Sequence, residues 1–236
     1  MKYMGSKSRF VKQLVPIVTA NRKPGQWYVE PFAGGMNMIC TVEGNRIAND
    51  SHFYLIEMWK AIVERGCGWI PDVDREMYKN VKTHPESYPA EIVGWVGFNC
   101  SYSGKWFGGY AGKTKTKIGT IRDYQQEALN AVIKQAPKMQ GVVLSNVSYS
   151  ELKIPDKSIV YCDPPYEGTT RYHGDFDHAQ FWDWVRDISK EHTVFVSEYN
   201  APDDFRCVWE KEAKSSLSAN GKIGGNKNSV ERLFTL

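Results

Sequence analysis

Short apolar runs that end in polar residues recur along the chain, and amphipathic stretches follow them. Gln26-Trp27-Tyr28-Val29-Glu30 predicts a buried strand that runs into a turn, Pro31-Phe32-Ala33-Gly34-Gly35, with a helix opening near Met36. Arg46-Ile47-Ala48-Asn49 predicts a second strand ending at Asp50, and Phe53 to Val63 has helical spacing. The alternation returns after Gly141. Val142-Val143-Leu144, Ile159-Val160-Tyr161-Cys162 and Thr193-Val194-Phe195-Val196-Ser197 predict strands, and Phe181 to Ile188 a helix. Strands alternating with helices imply a parallel-rich sheet covered on both faces. Between residues 64 and 138 the alternation stops. The pattern therefore predicts an α/β core assembled from residues 1–63 and 139–236, interrupted by a helical and loop-rich insertion.

Length and composition change this picture little. A chain of 236 residues with 42% apolar and 24% charged residues suits one core with a large insertion, and disfavours disorder or a disulfide scaffold. No apolar run approaches the roughly 18 residues of a membrane span. Lys7, Arg9, Lys12 and Gln13 interrupt the place where a secretory signal needs an apolar core, so a cytoplasmic protein is expected. The five cysteines lie too far apart for CxxC pairs, and free thiols are expected. The histidines show no ligand spacing, so no metal is assigned.

The net charge of +3 matters through its distribution. From Ile92 to Arg122 there is no acid, while Lys105, Lys113, Lys115, Lys117 and Arg122 are basic, and Tyr102, Trp106 and Tyr110 are among the interleaved aromatics. Ammonium groups displace phosphate counterions and rings stack on bases, so the segment suits a nucleic acid. A glycine-rich surface loop with incidental lysines fits the same residues. If the stretch is extended, alternation with Thr114 and Thr116 puts the three lysines from 113 to 117 on one face.

In an open parallel sheet, ligands collect outside the carboxyl ends of the strands. Gly34 and Gly35 follow the first strand and allow close backbone approach, and Asp50 ends the second, where an acid can accept hydrogen bonds from ribose hydroxyls. The turn lacks G-x-G-x-x-G, which counts against nicotinamide and flavin cofactors. Asp163-Pro164-Pro165-Tyr166 follows a third strand. Consecutive prolines hold extended backbone and remove N–H donors, leaving an acceptor array. A carboxylate and a flat ring beside it match an exocyclic amine on a planar base.

These segments, in this order, resemble the Dam-like N6-adenine DNA methyltransferases (D12 class). Lys2-Tyr3-Met4-Gly5-Ser6-Lys7 is similar to the family's KWAGGK-type segment, Pro31 to Gly35 to its FxGxG-type loop, Asn49-Asp50 to its ribose-binding acid and Asp163 to Tyr166 to its catalytic DPPY. The resemblance implies a Rossmann-like S-adenosylmethionine-dependent methyltransferase sheet with a target-recognition insertion at 64–138. It implies methyl transfer to N6 of a flipped adenine in double-stranded DNA, in a prokaryotic or phage-infected cell and with no obligatory protein partner. Catalytic roles fall on Asp163, Pro164, Pro165 and Tyr166, and cosubstrate contacts on Tyr3, Lys7, Phe32, Gly34, Gly35, Asp50, Ser148, Tyr149 and Asp163. DNA contacts fall on Tyr102, Lys105, Trp106, Tyr110, Lys113, Lys115, Lys117 and Arg122. Tyr3 stands where the family usually has Trp, Ser148 where it often has Asp, and Gly109 where it has Arg. N4-cytosine methylation, a protein or RNA methyltransferase and a catalytically silent DNA-binding module are the alternatives.

Overall fold

The computed structural model describes residues 1–116, 118–167, 176–214 and 228–236. Its elements are α1 (Val11–Val18), β1 (Tyr28–Glu30), β2 (Arg46–Asn49), α2 (Phe53–Arg65), α3 (Arg75–Thr83), α4 (Ala90–Asn99), β3 (Lys113–Lys115), β4 (Ile121–Asp123), α5 (Tyr124–Gln135), β5 (Val142–Ser145), β6 (Ile159–Cys162), α6 (His178–Ile188), β7 (Thr193–Glu198), β8 (Arg206–Lys214) and β9 (Asn228–Thr235). Seven strands form one sheet in the order β5-β2-β1-β6-β7-β9-β8, and β3 and β4 form a separate antiparallel hairpin. The pairs from β5 to β7 are parallel, and β9 runs antiparallel to both neighbours. This is the Rossmann-like methyltransferase sheet that the resemblance implies.

Strand alternation sends side chains to two cores. Tyr28, Ala48, Ile159, Tyr161 and Leu233 face a large core with α1, α2, α4 and α5, whereas Val29, Ile47, Val160, Val194 and Phe234 face a smaller one with α6. Helices of the 64–138 stretch thus share the main core: Tyr78, Val81, Val93, Trp95, Val96, Ala128 and Val132 are buried there. Helices α2 and α4 meet closely at Gly94, where a Cβ would come within 2.1 Å of the Tyr54 carbonyl oxygen.

The expected helix near Met36 does not form. Gly34 and Met36 have φ of +46° and +55°, left-handed values that cannot propagate a right-handed helix, and only a 3-10 turn follows at Ile39–Thr41. The first crossover, between Glu30 and Arg46, is consequently a loop with one 3-10 turn in place of an α-helix. The strands β8 and β9, unmarked by any clean alternation, complete the far edge.

Two predictions follow from this packing. Gly94→Ala should lower the stability by about 1–3 kcal/mol in chemical denaturation, because a backbone carbonyl must move; the roughly 1 kcal/mol gain in helix propensity does not offset it. Glu30, buried at the end of β1, has its carboxyl pushed up to about 8 from 4.5, chiefly by burial, while the Tyr28 hydroxyl donating at 2.9 Å opposes the rise. Between those two values the unfolded chain releases a proton that the folded chain keeps, so stability falls as pH rises through the window. Urea midpoints measured from pH 5 to 8 should decline less steeply for Glu30→Gln than for the parent; parallel declines would mean that Glu30 is ionised in the fold.

Candidate functional site

A cleft of about 1260 Å³ opens at the carboxyl ends of the strands. It exceeds the roughly 300–1,000 Å³ of a usual small-molecule site, and so has room for a nucleoside-sized cosubstrate together with a base. Its lining gathers the expected Tyr3, Lys7, Phe32, Gly34, Gly35, Asp50, Ser148, Tyr149, Asp163, Pro164, Pro165 and Tyr166. Of the expected DNA contacts, Trp106 also lines it.

One wall is built on hydrogen bonds between loops. Asp50 accepts from the backbone N–H of Gly34 and of His52, each at 2.9 Å, so the carboxylate fixes the glycine turn while keeping lone pairs for a ligand. Burial pushes the Asp50 carboxyl up, and these two N–H groups oppose the rise. The neighbouring Asn49, fully buried, donates to the carbonyls of Pro31 and Val147 at 3.0 Å and accepts from the Val147 N–H at 3.1 Å. It staples the turn after β1 to the loop after β5. From the 64–138 stretch, Gln135 on α5 donates to the carbonyls of Gly35 and Met36 at 3.0 and 2.9 Å. The Tyr3 ring lies flush on Gly34, where a Cβ would stand 2.8 Å from its Cε1, and packs against Phe98 at 5.4 Å between centroids.

Beside this wall is an aromatic box. Phe32 packs against Tyr149 at 5.2 Å, Phe176 at 5.9 Å and Phe181 at 5.7 Å, and Trp184 meets Tyr149 at 4.9 Å. Phe176 and Trp184 carry no sequence signal of this role; helical spacing on α6 places Phe181 and Trp184, but not their partner. Ser148 lies at the rim, its hydroxyl 2.9 Å from that of Ser150.

The opposite wall is a buried charge cluster. Lys7 follows Ser6, whose hydroxyl accepts from the Ser8 N–H at 3.2 Å and from Asn37 at 2.8 Å, and this turn delivers its side chain inward. The Lys7 ammonium stands 2.7 Å from Asp163, 3.7 Å from Glu231 and 4.5 Å from the centre of the Tyr166 ring. Lys7, grouped by resemblance with cosubstrate contacts, is therefore engaged by the Asp163 to Tyr166 turn. Burial pulls its pKa down, yet Asp163 and then Glu231 outweigh burial and leave it above the ordinary value. For Asp163, burial dominates and raises the carboxyl, with the Lys7 charge and hydrogen bond holding it back. The Tyr166 hydroxyl donates to Glu231 at 3.0 Å, and its ring meets Tyr199 edge-on at 4.7 Å. Glu198 accepts from the N–H groups of Glu167 and Tyr199 at 3.1 and 2.7 Å, yet burial pushes it up to about 7. Glu231 carries no local sequence signal of a place in this site.

The expected DNA residues separate into two kinds. Tyr102, Lys105, Lys113 and Lys115 are exposed, and the lysines of β3 sit on an extended hairpin as supposed. Lys117 lies outside the described residues. Trp106 and Tyr110 are half-buried and packed within the fold, whereas Arg122 on β4 is exposed like the lysines: Trp106 stacks on Tyr54 at 5.7 Å and meets His52 at 4.3 Å, and the Tyr110 hydroxyl donates to the Val73 carbonyl at 2.9 Å. Arg122 grips Glu127 with two bonds of 2.6 and 2.9 Å.

Among solved structures, that of SMU.472 complexed with SAH aligns over 100% of this chain and 54% of that one, with 11% identity and a TM-score of 0.38. The chain thus spans about half the length of that neighbour. A family model described as D12 class N6 adenine-specific DNA methyltransferase matches residues 3–92 and 92–195, a span holding the glycine turn, Asp50 and the Asp163 to Tyr166 turn. The chain belongs to that family, the one its four sequence anchors resemble.

Proposed function

We propose that this chain transfers a methyl group from S-adenosylmethionine to N6 of an adenine rotated out of double-stranded DNA. The observation that carries this reading is the joining, in one cleft, of the Asp163-Pro164-Pro165-Tyr166 turn with the wall of Phe32, Gly34 and Asp50. The cleft fits the cosubstrate: the rings of Phe32, Tyr149 and Phe176 that line it suit its adenine, the Asp50 lone pairs suit its ribose hydroxyls, and the Asp163 carboxylate suits its positive charge. When bound, S-adenosylmethionine supplies an electrophilic methyl group on a sulfonium.

The residues of the chain do the rest. An adenine amine is a weak nucleophile because its lone pair is delocalised into the ring. Asp163 and the Pro164 carbonyl accept its hydrogens, favour a tetrahedral nitrogen and stabilise the positive charge that develops there. The Tyr166 ring, held by Glu231, offers a stacking surface that offsets part of the few kcal/mol of unstacking. Holding the amine near the methyl donor supplies much of the remaining rate gain. The family match is to adenine-specific enzymes, which supports adenine over N4 of cytosine.

Residues 64–138 serve as the target-recognition insertion in this reading, and residues 1–63 and 139–236 as the catalytic core. Helices α3, α4 and α5 are anchored in the shared core, so DNA contact falls to Tyr102, Lys105 and the hairpin bearing Lys113, Lys115 and Arg122. A basic row of this kind contacts phosphates and carries no base information.

Incubation with methyl-labelled S-adenosylmethionine and unmethylated DNA, followed by mass spectrometry of the nucleosides, tests the reading; N6-methyladenine is expected, and label in N4-methylcytosine alone would refute it. Asp163→Ala should lower turnover at least about a hundredfold, with DNA binding retained in gel-shift assays. Asp50→Ala should weaken cosubstrate binding by roughly 1.5–3 kcal/mol in calorimetry; unchanged affinity in a folded variant would remove that assignment. Lys113→Gln with Lys115→Gln should weaken binding to all duplexes alike and lower the slope of log affinity against log salt by about 1–2. An unaltered slope would place the DNA groove elsewhere.

A further inference from the structure

Glu231 belongs to β9, some seventy residues beyond the catalytic turn, and nothing in its local sequence marks it. Its side chain is 14% exposed, it lines the cleft, and its Oε2 accepts from the Tyr166 hydroxyl at 3.0 Å and lies 3.7 Å from the Lys7 ammonium. Its neighbour Arg232, which alternates to the other side of the strand, bonds to Glu210 and the Tyr199 carbonyl instead. Glu231 is thus committed to the cluster of Lys7, Asp163 and Tyr166.

Two carboxylates share one ammonium here. Lys7 alone would neutralise Asp163, and an oxygen already gripped by an ammonium at 2.7 Å is a poorer acceptor for an amine hydrogen. With Glu231 the trio carries a net charge of −1, which complements the positive charge developing on the amine. A shift of about 1 Å, from 3.7 to 2.7 Å, would bring the ammonium to full contact with Glu231.

We propose that Glu231 is a positioning residue for methyl transfer, holding Tyr166 by its hydroxyl and drawing Lys7 aside so that Asp163 can accept from the target amine. The proposal rests on the adenine-methylation reading of the same cleft. It assigns Glu231 no contact with the cosubstrate.

The test measures single-turnover methyl transfer by the full chain, with tritiated S-adenosylmethionine and unmethylated plasmid DNA, alongside cosubstrate affinity and circular dichroism. Glu231→Gln keeps an acceptor for Tyr166 and removes the charge; its rate should fall about ten- to a hundredfold with cosubstrate affinity held within about twofold. Tyr166→Phe, which removes only the hydroxyl, should fall less. Glu231→Asp, which restores the charge, should recover part of the rate, a recovery that a merely structural role for the side chain would not give. A parental rate for Glu231→Gln, no recovery by Glu231→Asp, or a loss of cosubstrate affinity matching the loss of rate would each overturn the proposal. Asp163→Asn separates the two levels. If it loses activity while Glu231→Gln does not, the proposal alone fails; if it is fully active, the reading of the cleft fails too.

Discussion

The site depends on one buried ammonium. Lys7 comes from the start of the chain, Asp163 from the end of β6 and Glu231 from β9, and the three meet where their side chains are 8%, 18% and 14% exposed. Two carboxylates this close and this dry would repel one another and push each other toward protonation without a cation between them. Lys7 offsets that repulsion and, in the function proposed for the cleft, keeps Asp163 ionised. The same cation faces the Tyr166 ring, so the surface proposed for the target base is oriented by the group that tunes the acid. Removing Lys7 would leave two carboxylates uncompensated in the cleft, and the first turn of the chain, which carries it, is tied down by Ser6 and Asn37.

The wall for the cosubstrate obeys a different constraint. Its loops are irregular, and irregular backbone in a buried position must find partners for its N–H and C=O groups. Asn49, Asp50 and Gln135 supply them. Gln135 comes from the 64–138 stretch, so the segment that carries the exposed basic hairpin also braces the glycine turn. The departures from the family's usual residues fit this setting. Tyr3, in place of Trp, keeps an aromatic face on Gly34 and Phe98, and Ser148 sits at a rim where its hydroxyl pairs with Ser150.

Local sequence determined a good deal. Apolar runs ending in Asp50 and Asp163 revealed strands and the acids at their carboxyl ends, since strand burial and the topology of parallel sheets place ligand groups there. The Pro164-Pro165 pair and the glycine turn were legible because their backbone limits are intrinsic to the residues. Only tertiary structure decided the rest. Glu231, Asn49 and Gln135 acquire their roles from partners 65 to 100 positions away, which no periodicity reports. Trp106 and Tyr110, aromatic and amid basic residues, resemble base readers in sequence, and the fold decides their partners: Trp106 packs on Tyr54 of α2 and Phe98 of α4 while lining the cleft, and Tyr110 packs on Tyr78 of α3 with its hydroxyl on the Val73 carbonyl. The helix foreseen at Met36 gave way to left-handed backbone because the turn's hydrogen bonds to Asp50 and Gln135, all formed across the fold, outweigh the helical preference of the residues themselves.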